Sequence, residues 1–316
     1  MTLCAGIINY GDYGDVAECL RALSRQTRVP DRILVVDNAS VSSRLDPIRS
    51  RYPRVEYLPR TENLGYAGGA NLVIEQARDC DHVLLLNPDV VPGEDFLARL
   101  EAVFAGSKDI GAATGKLLQP TDPPRIDSTG LVVRRDRRIQ DRGRDEVDRG
   151  QYAAPKEVFG GTGAALMLAQ GMLADVVVEG EWFDSEFFAY YEDVDLAWRA
   201  RLLGWRCMYV PGATAMHRRG FSPTNRGAVS RERKRLATRN HLRLLLKNEL
   251  PSLFLRDLAW MAPTEGARLL RALFLEPYCL PALLGLVSRL GSLWRKRQWV
   301  MARRRVRVAE MGQWFQ

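Results

Sequence analysis

Between residues 3 and 118, short apolar runs that end on Asn or Asp alternate with amphipathic stretches of helical period. LCAGII (3–8) reads as a buried strand, and RILVVDN (32–38), VEYLP (55–59) and HVLLLNPD (82–89) read as further strands. DVAECLRALSRQ (15–26), apolar at 16, 20 and 23, and EDFLARLEAVF (94–104) read as helices, and another follows NLGYAGGAN to about Arg78. Strands separated by helices of this length predict an α/β fold, a mostly parallel sheet covered on both faces. Such sheets bind ligands outside the carboxyl ends of their strands. Asn9, Asp37, Asn38 and Asp89 fall on that edge.

The 316 residues allow one large α/β domain or a domain with an appendage. Residues 120–157, rich in Pro, Arg and Asp with weak periodicity, read as a loop or β-ribbon excursion, and EVFGGTGAALMLA (157–169) returns to buried-strand character. TNRGAVSRERKRLATRN (224–240) reads as a mobile loop running into a basic helix. From Pro251 onward, apolar helical stretches carry basic flanks.

The net charge of +8 is unevenly placed: residues 226–247 hold eight Lys/Arg against Glu232 alone, and 295–307 hold seven with no acid. Such clusters suit phosphates, nucleic acid or an acidic lipid surface. No RRM, KH or helix-turn-helix feature supports nucleic acid. Five scattered cysteines without a CxxC pair argue for a reducing compartment and against a thiolate metal site. The N-terminus shows no basic region followed by an apolar run. The longest charge-free apolar stretch near the C-terminus, Pro277–Ser288, is 12 residues with two prolines, whereas a spanning helix needs ~20. A cytoplasmic protein, lying at most on a membrane surface, is expected.

Four motifs could carry chemistry. Asp37 in VVDNAS (35–40) could accept hydrogen bonds from a base edge or a ribose, or simply cap the next helix. NLGYAGGANLVIEQA (63–77) is a Gly-rich turn opening a helix whose N–H groups could face a phosphate; it matches neither the Walker pattern nor G-x-G-x-x-G. LLLNPDVV (84–91) brings Asp89 to the ligand edge, where a carboxylate could hold a cation bridging two phosphates, or belong only to an Asx-Pro turn. FFAYYEDVDLAWRARLLGW (187–205) crowds Glu192, Asp193 and Asp195 behind Phe187, Phe188, Tyr190 and Tyr191 at the start of an apolar helix. The helix dipole explains one or two of these acids. An aromatic wall beside them would raise a carboxylate pKa that the helix end lowers, which suits a base. His217 follows the strand CMYVP and stands 24 residues after Asp193. It is a candidate metal ligand or a structural histidine.

With IINYGDY and VPGATAMH, these stretches stand in the order and near the spacing of a known family. Over residues 3 to about 220 the chain resembles inverting glycosyltransferases of family 2 with the GT-A fold, closest to rhamnosyltransferase-like members. The resemblance implies a GT-A catalytic domain over 1–220, with a nucleotide-binding half to about 118 and an acceptor half beyond, and a C-terminal extension over 221–316. It implies that Asn9, Asp37, Asn38, Asn63 and Gly65 hold the donor nucleotide, and that Asp89 and His217 hold Mg²⁺ or Mn²⁺. Asn87 stands where the family's DxD motif has its first acid, so the site offers one strong carboxylate. Asp193 is the implied base, with Glu192 and Asp195 as supports. Gly160–Ala164, including Gly161 and Thr162, would underlie donor sugar and acceptor, and Trp182 would lie at the acceptor mouth. The implied reaction moves a sugar from dTDP-rhamnose or a UDP-sugar to a hydroxyl of a glycan or lipid-linked acceptor in cell-surface polysaccharide synthesis. A catalytically silent nucleotide-sugar-binding subunit is the alternative, and the joint presence of Asp89, Asp193 and His217 speaks against it.

The stretch 268–299 lies outside the resemblance. Its Leu/Trp faces and basic flank suit a helix lying in the plane of an acidic leaflet; the alternatives are a cap packed on the catalytic domain or a homodimer interface.

Overall fold

The structure, a computed structural model, describes residues 1–39, 42–219 and 230–316. The N-terminal part runs β1 (Leu3–Asn9), α1 (Tyr13–Leu23), β2 (Arg32–Asp37), α2 (Ser42–Arg51), β3 (Glu56–Pro59), α3 (Gly65–Gln76), β4 (His82–Leu86), β5 (Val90–Pro92), α4 (Phe96–Ala102) and β6 (Ile110–Gln119). The sheet order β10-β12-β6-β11-β4-β1-β2-β3 brings in β10 (Lys156–Val158), β11 (Ala165–Ala169) and β12 (Arg206–His217), with β5 on β12 and β7 (Arg125–Ser128) on β6, while β8 (Leu131–Val133) and β9 (Ile139–Asp141) form a small separate pair. β4, β1, β2 and β3 are mutually parallel, as the alternation predicts, and β12 is parallel to β6. β11 runs antiparallel between β4 and β6. The 120–157 excursion is in part a ribbon, β8 against β9.

Two apolar layers sandwich the sheet. β1, β4 and β11 contribute Leu3, Ile7, Leu84, Leu86 and Met167 to one side and Cys4, Ile8, Val83, Leu85 and Leu168 to the other. This alternation is what a sheet buried on both faces requires. All five cysteines are buried and free.

After β11 come α5 (Gln170–Val176), α6 (Glu192–Leu202) and, beyond β12, a helical C-terminal extension: α7 (Arg231–Asn248), α8 (Pro251–Leu270), α9 (Leu280–Val287), α10 (Leu290–Ala302) and α11 (Val308–Gly312). The loop expected at 224–229 and Ser40 of VVDNAS lie outside the described residues. A third core joins the extension to the rest of the fold: Phe159, Val194, Trp198 and Leu202 pack with Leu244, Leu253, Val300, Met311 and Phe315. Buried charge reinforces it. Asp195 of α6 accepts from Lys247 and Asn248 of α7, and Arg137 beside β9 pairs with Glu249 and Asp257 of the extension. Among the described residues no single helix is long and apolar enough to cross a membrane.

Candidate functional site

The chain runs outward from β1 through β2 to β3 and then returns to β4 on the other side of β1. A reversal of strand order opens a crevice at the carboxyl ends of the two strands that flank it, here between Asn9 and Asn87.

On one side of this crevice the strand-end polar residues form a connected cluster. Parallel pairing sets Asn9 opposite Asp37, and Asn9 Nδ2 donates to Asp37 Oδ1 at 2.7 Å; Tyr13 Oη donates to the other carboxylate oxygen at 3.1 Å. Asn38 spans the gap to the Gly-rich turn: its Nδ2 donates to Gly65 O at 3.1 Å, and its Oδ1 accepts from Leu64 N. Asn63 Oδ1 in turn accepts from Gly65 N at 2.9 Å. Gly65 has φ +68°, and a Cβ there would sit 2.3 Å from Phe188 O, so no other residue fits without moving that loop. The five residues assigned to the donor therefore stand together. Two of the first N–H groups of α3 are taken up within the protein, against the expectation that they stand free for a phosphate: Gly65 N donates to Asn63 Oδ1 and Ala67 N to Phe188 O, and Leu64 N just before the helix donates to Asn38 Oδ1.

Across the crevice lies a cleft of about 440 Å³, lined among others by Tyr66, Asn87, Thr162, Glu192, Asp193, His217 and Arg219. His217 arrives there because β12 pairs antiparallel with β5 and sets it opposite Val90, beside Asp89. Its Nε2 is 3.4 Å from Asp89 Oδ1, and its Nδ1 is 2.7 Å from Asp127 Oδ2. Burial disfavours the charged imidazole, yet the hydrogen bonds with Asp127 and Asp89 outweigh it and hold His217 up at about 9. Burial also opposes the charge of Asp127, but His217 and Arg219 keep its carboxyl below the usual range. Arg219 bonds both Asp127 and Asp141. Among the described residues no three ligand-type side chains converge on one point. Asp89 and His217 Nε2 supply two donors, with the imidazole oriented by Asp127. A carboxylate and a nitrogen whose partner ring atom is already fixed suit a divalent cation that takes its other ligands from phosphate oxygens and water.

Asp193, in the first turn of α6, is half-buried at the cleft wall. Its Oδ2 accepts from Gly163 N at 2.9 Å and its Oδ1 from Val194 N at 2.8 Å. Burial raises its pKa above the usual carboxylate value, opposed by the Gly163 hydrogen bond. Glu192, also on the cleft, is pushed well above its ordinary value by burial and by the neighbouring Asp193. Its Oε2 is buried and makes no hydrogen bond to the described residues. Tyr66 Oη donates to Gly163 O, so one glycine peptide is held by Tyr66 on one side and by Asp193 on the other.

The aromatic approach to α6 is strained. Phe188, Tyr190 and Tyr191 have φ of +66°, +70° and +73°, conformations that cost non-glycine residues energy and persist only when surroundings impose them. Asn240 of α7, fully buried, imposes them: its Nδ2 lies 2.8, 2.9 and 2.8 Å from the carbonyls of Phe187, Ala189 and Tyr190.

Two expectations are corrected. Trp182 does not reach an acceptor mouth. It is buried between α3 and α5, its Nε1 donating to Leu173 O and its backbone N to Asn71 Oδ1, because its large apolar face is spent on the core beneath the cleft. Gly161 lies under the cleft against Thr114 and Leu166, and its neighbour Thr162 lines it. Asp195, read as an electrostatic support, is fully buried in ion pairs with Arg199 and Lys247 and has no access to the cleft. Asp127 and Asn240 were not singled out in the sequence. Asp127, in RIDS, lies in a stretch without clear period, which offers no signal for it.

The glycosyl transferase family 2 model matches residues 4–145. The chain is 28% identical over 244 residues to an N-acetylglucosaminyl-diphospho-decaprenol L-rhamnosyltransferase of Mycobacterium tuberculosis, covering 68% of this chain and 75% of the relative. Among solved structures it resembles GalNAc-T7 with UDP, GalNAc and Mn²⁺ (TM-score 0.60, 10% identity), covering 78% of this chain but only 48% of that one. It also resembles the mannosyltransferase PcManGT from Pyrobaculum calidifontis with GDP-Man and Mn²⁺ (TM-score 0.54, 18% identity), covering 99% of this chain and 87% of that one. Residues 4–145 are a glycosyl transferase family 2 domain, and the chain is a glycosyltransferase with the GT-A fold and a helical C-terminal extension.

Proposed function

We propose that the protein is an inverting transferase that moves a sugar from a nucleoside diphosphate donor to a hydroxyl of a lipid-linked or glycan acceptor in cell-surface polysaccharide synthesis, on the cytoplasmic face of a membrane. The transfer site belongs to residues 1–220, and residues 221–316 form the extension that meets the membrane. The observation that carries the reading is that one cleft is lined by both Asp193, a half-buried carboxylate of raised pKa, and His217, which is bonded to Asp89. The mycobacterial relative's name supports a rhamnosyl donor and a diphosphate-linked lipid acceptor. dTDP-rhamnose is therefore the first donor to test, with UDP-sugars next.

In this reading Asn9, Asp37, Asn38 and the Asn63–Gly65 turn bind the nucleoside. Asp89 and His217 would hold Mg²⁺ or Mn²⁺, which when bound would neutralise charge on the departing diphosphate. Asp193 Oδ takes the proton of the acceptor hydroxyl as that oxygen attacks the anomeric carbon, and the bond to the diphosphate breaks on the opposite face, so the configuration inverts. Burial and the neighbouring Asp193 favour the protonated form of Glu192, which would donate a hydrogen bond from its buried Oε2, without a partner among the described residues, to the sugar or acceptor. Thr162 and Gly163 form the floor on which the two substrates meet.

Two results are expected. First, kcat/KM should fall on the acid side with an apparent pKa above the 3.8 of an ordinary aspartate, since Asp193 must be ionised to accept a proton and its pKa is raised. Initial rates across the acid range with a matched panel of dTDP-, UDP- and GDP-sugars measure this and identify the donor; a rate flat through the whole acid range would remove Asp193 as the base. Second, Asp127→Asn should weaken Mn²⁺ binding by ~10–100-fold, because a carboxylate behind a ligating imidazole fixes its orientation and basicity. Titration calorimetry of Mn²⁺ into the protein with UDP or dTDP present reads it, and wild-type affinity in the variant would mean that His217 does not ligate.

A further inference from the structure

α8, its continuation Arg271–Leu275, and α9 leave a large apolar surface without a partner among the described residues. Leu255, Leu258, Ala262, Leu269 and Leu273 recur at spacings of three, four and seven, which puts them on one helix face, and all are exposed. Phe274 and Leu275 are 76% and 74% exposed. Past a sharp bend, Leu284, Val287, Leu290 and Trp294 recur at spacings of three and four, and are exposed as well. The two arms, Pro251–Leu275 and Pro277–Val287, meet at 104°. Neither arm alone is long and apolar enough to cross a bilayer, and the two together reach the length and composition of a span only across that bend. Isolated exposed leucines need no explanation, but a continuous apolar surface of this extent marks an interaction site.

Charge selects the occupant. Residues 251–299 carry seven Lys/Arg against three acids. All three acids are engaged by cations or histidine of the fold: Asp257 by Arg137, Glu265 by His241 and Glu276 by Lys234. Arg271, Arg289 and Arg295 are more than 60% exposed, with carboxylates only at 3.3, 3.9 and 3.3 Å. Exposed pairs of this kind are worth little, so these guanidinium groups are available to anionic head groups. Apolar rows flanked by exposed arginines are the composition of a helix that lies in a leaflet.

We propose that this elbow, residues 251–294, inserts its apolar face into one leaflet of an anionic bilayer without crossing it and holds the cleft at the membrane surface. It rests on the reading above only for what the placement achieves. The elbow turn is tied to the first turn of α7: Lys234 Nζ bonds Glu276 at 3.0 Å, and Arg231 stacks on Tyr278. The same turn presents Arg233, which lines the cleft and stacks on Tyr190. An acceptor rising from the leaflet beside the elbow therefore meets the cleft within one helical turn.

Flotation of the full chain with vesicles of phosphatidylcholine, with and without phosphatidylglycerol, tests this separately from catalysis. The protein should float with the anionic vesicles and much less with neutral ones. Leu273→Glu/Phe274→Glu should lower the floating fraction about tenfold or more with an unchanged thermal melt, while Asp193→Asn floats as wild type. Absence of flotation on anionic vesicles, or equal flotation of the double variant, would overturn the inference. So would a dimer in sedimentation that the double variant dissociates, because the face would then belong to a second copy. Flotation without any sugar transfer would leave the elbow standing and count against the proposed reaction.

Discussion

Asp193→Asn is expected to lower kcat by ~10²–10⁴-fold, the usual contribution of a positioned base, with little change in nucleoside diphosphate affinity and no loss of stability. The three parts of the result separate base catalysis from its competitors. Asn keeps the shape, and with its one carbonyl oxygen turned to accept from Gly163 N it keeps the loop at Gly163 in place and gives up only the bond from Val194 N. The donor cluster at Asn9, Asp37, Asn38 and Gly65 hangs on other strand ends and is untouched. The stability term has a definite sign. Burial raises the pKa of Asp193, which means that its ionised form is disfavoured in the fold. Neutralising it at pH 7 should leave the melting temperature equal or higher, the pattern of a group held for function at a cost in stability. Single-turnover rates, calorimetry with UDP or dTDP and a thermal melt together decide it. Wild-type kcat in the variant would exclude Asp193 as the base, and a lowered melting temperature would make it a structural residue instead.

Much of this was legible in the sequence because the relevant signals are local. β1, β2, β3 and β4 show as apolar runs, and the strand-end residues Asn9, Asp37, Asn38 and Asp89 fall on the ligand edge by topology alone. Asp193 stood out by its aromatic approach. What was not legible depends on pairings distant in sequence. Asp127 matters because β12 and its continuation deliver His217 and Arg219 to it, 90 and 92 residues later. Asn240 matters because α7 folds back onto a loop some fifty residues earlier, where one amide group holds three carbonyls. Trp182 misled because a tryptophan near an active-site motif reads the same whether it faces ligand or core. Only the packing between α3 and α5 decides. For the extension the sequence left three readings, a packed cap, a membrane-lying helix or a homodimer interface: packing describes α7, α10 and α11, while α8 and α9 keep an open apolar face on which the other two readings rest.

Asp195→Ala should act in the opposite way to the change two residues earlier, with a loss of ~3–5 kcal/mol of stability, the cost of breaking a buried ion pair from one side. Asp195 is fully buried and accepts from Arg199 Nε at 3.0 Å, Lys247 Nζ at 3.0 Å and Asn248 Nδ2 at 2.8 Å. Lys247 also bonds Asp184 at 2.7 Å, and Asp184 bonds Lys296 at 2.7 Å. Two carboxylates thus balance Arg199, Lys247 and Lys296 in a site closed to water. Without Asp195, one carboxylate faces three cations that cannot be solvated. For a chain of this size the loss corresponds to a fall in melting temperature on the order of 5–15 °C. Asp195→Leu/Lys247→Leu should recover part of it, since one buried cation leaves with the carboxylate, Asp184 keeps Lys296, and only Arg199 is left without a carboxylate. Denaturant titrations of wild type, the two single variants and the double variant give the coupling directly. If Asp195→Ala lost less than about 1 kcal/mol, within the range of exposed pairs, the network would not be what fixes α7 against α6. Activity should fall with stability, because Asn240 on α7 holds the strained residues that lead into Asp193.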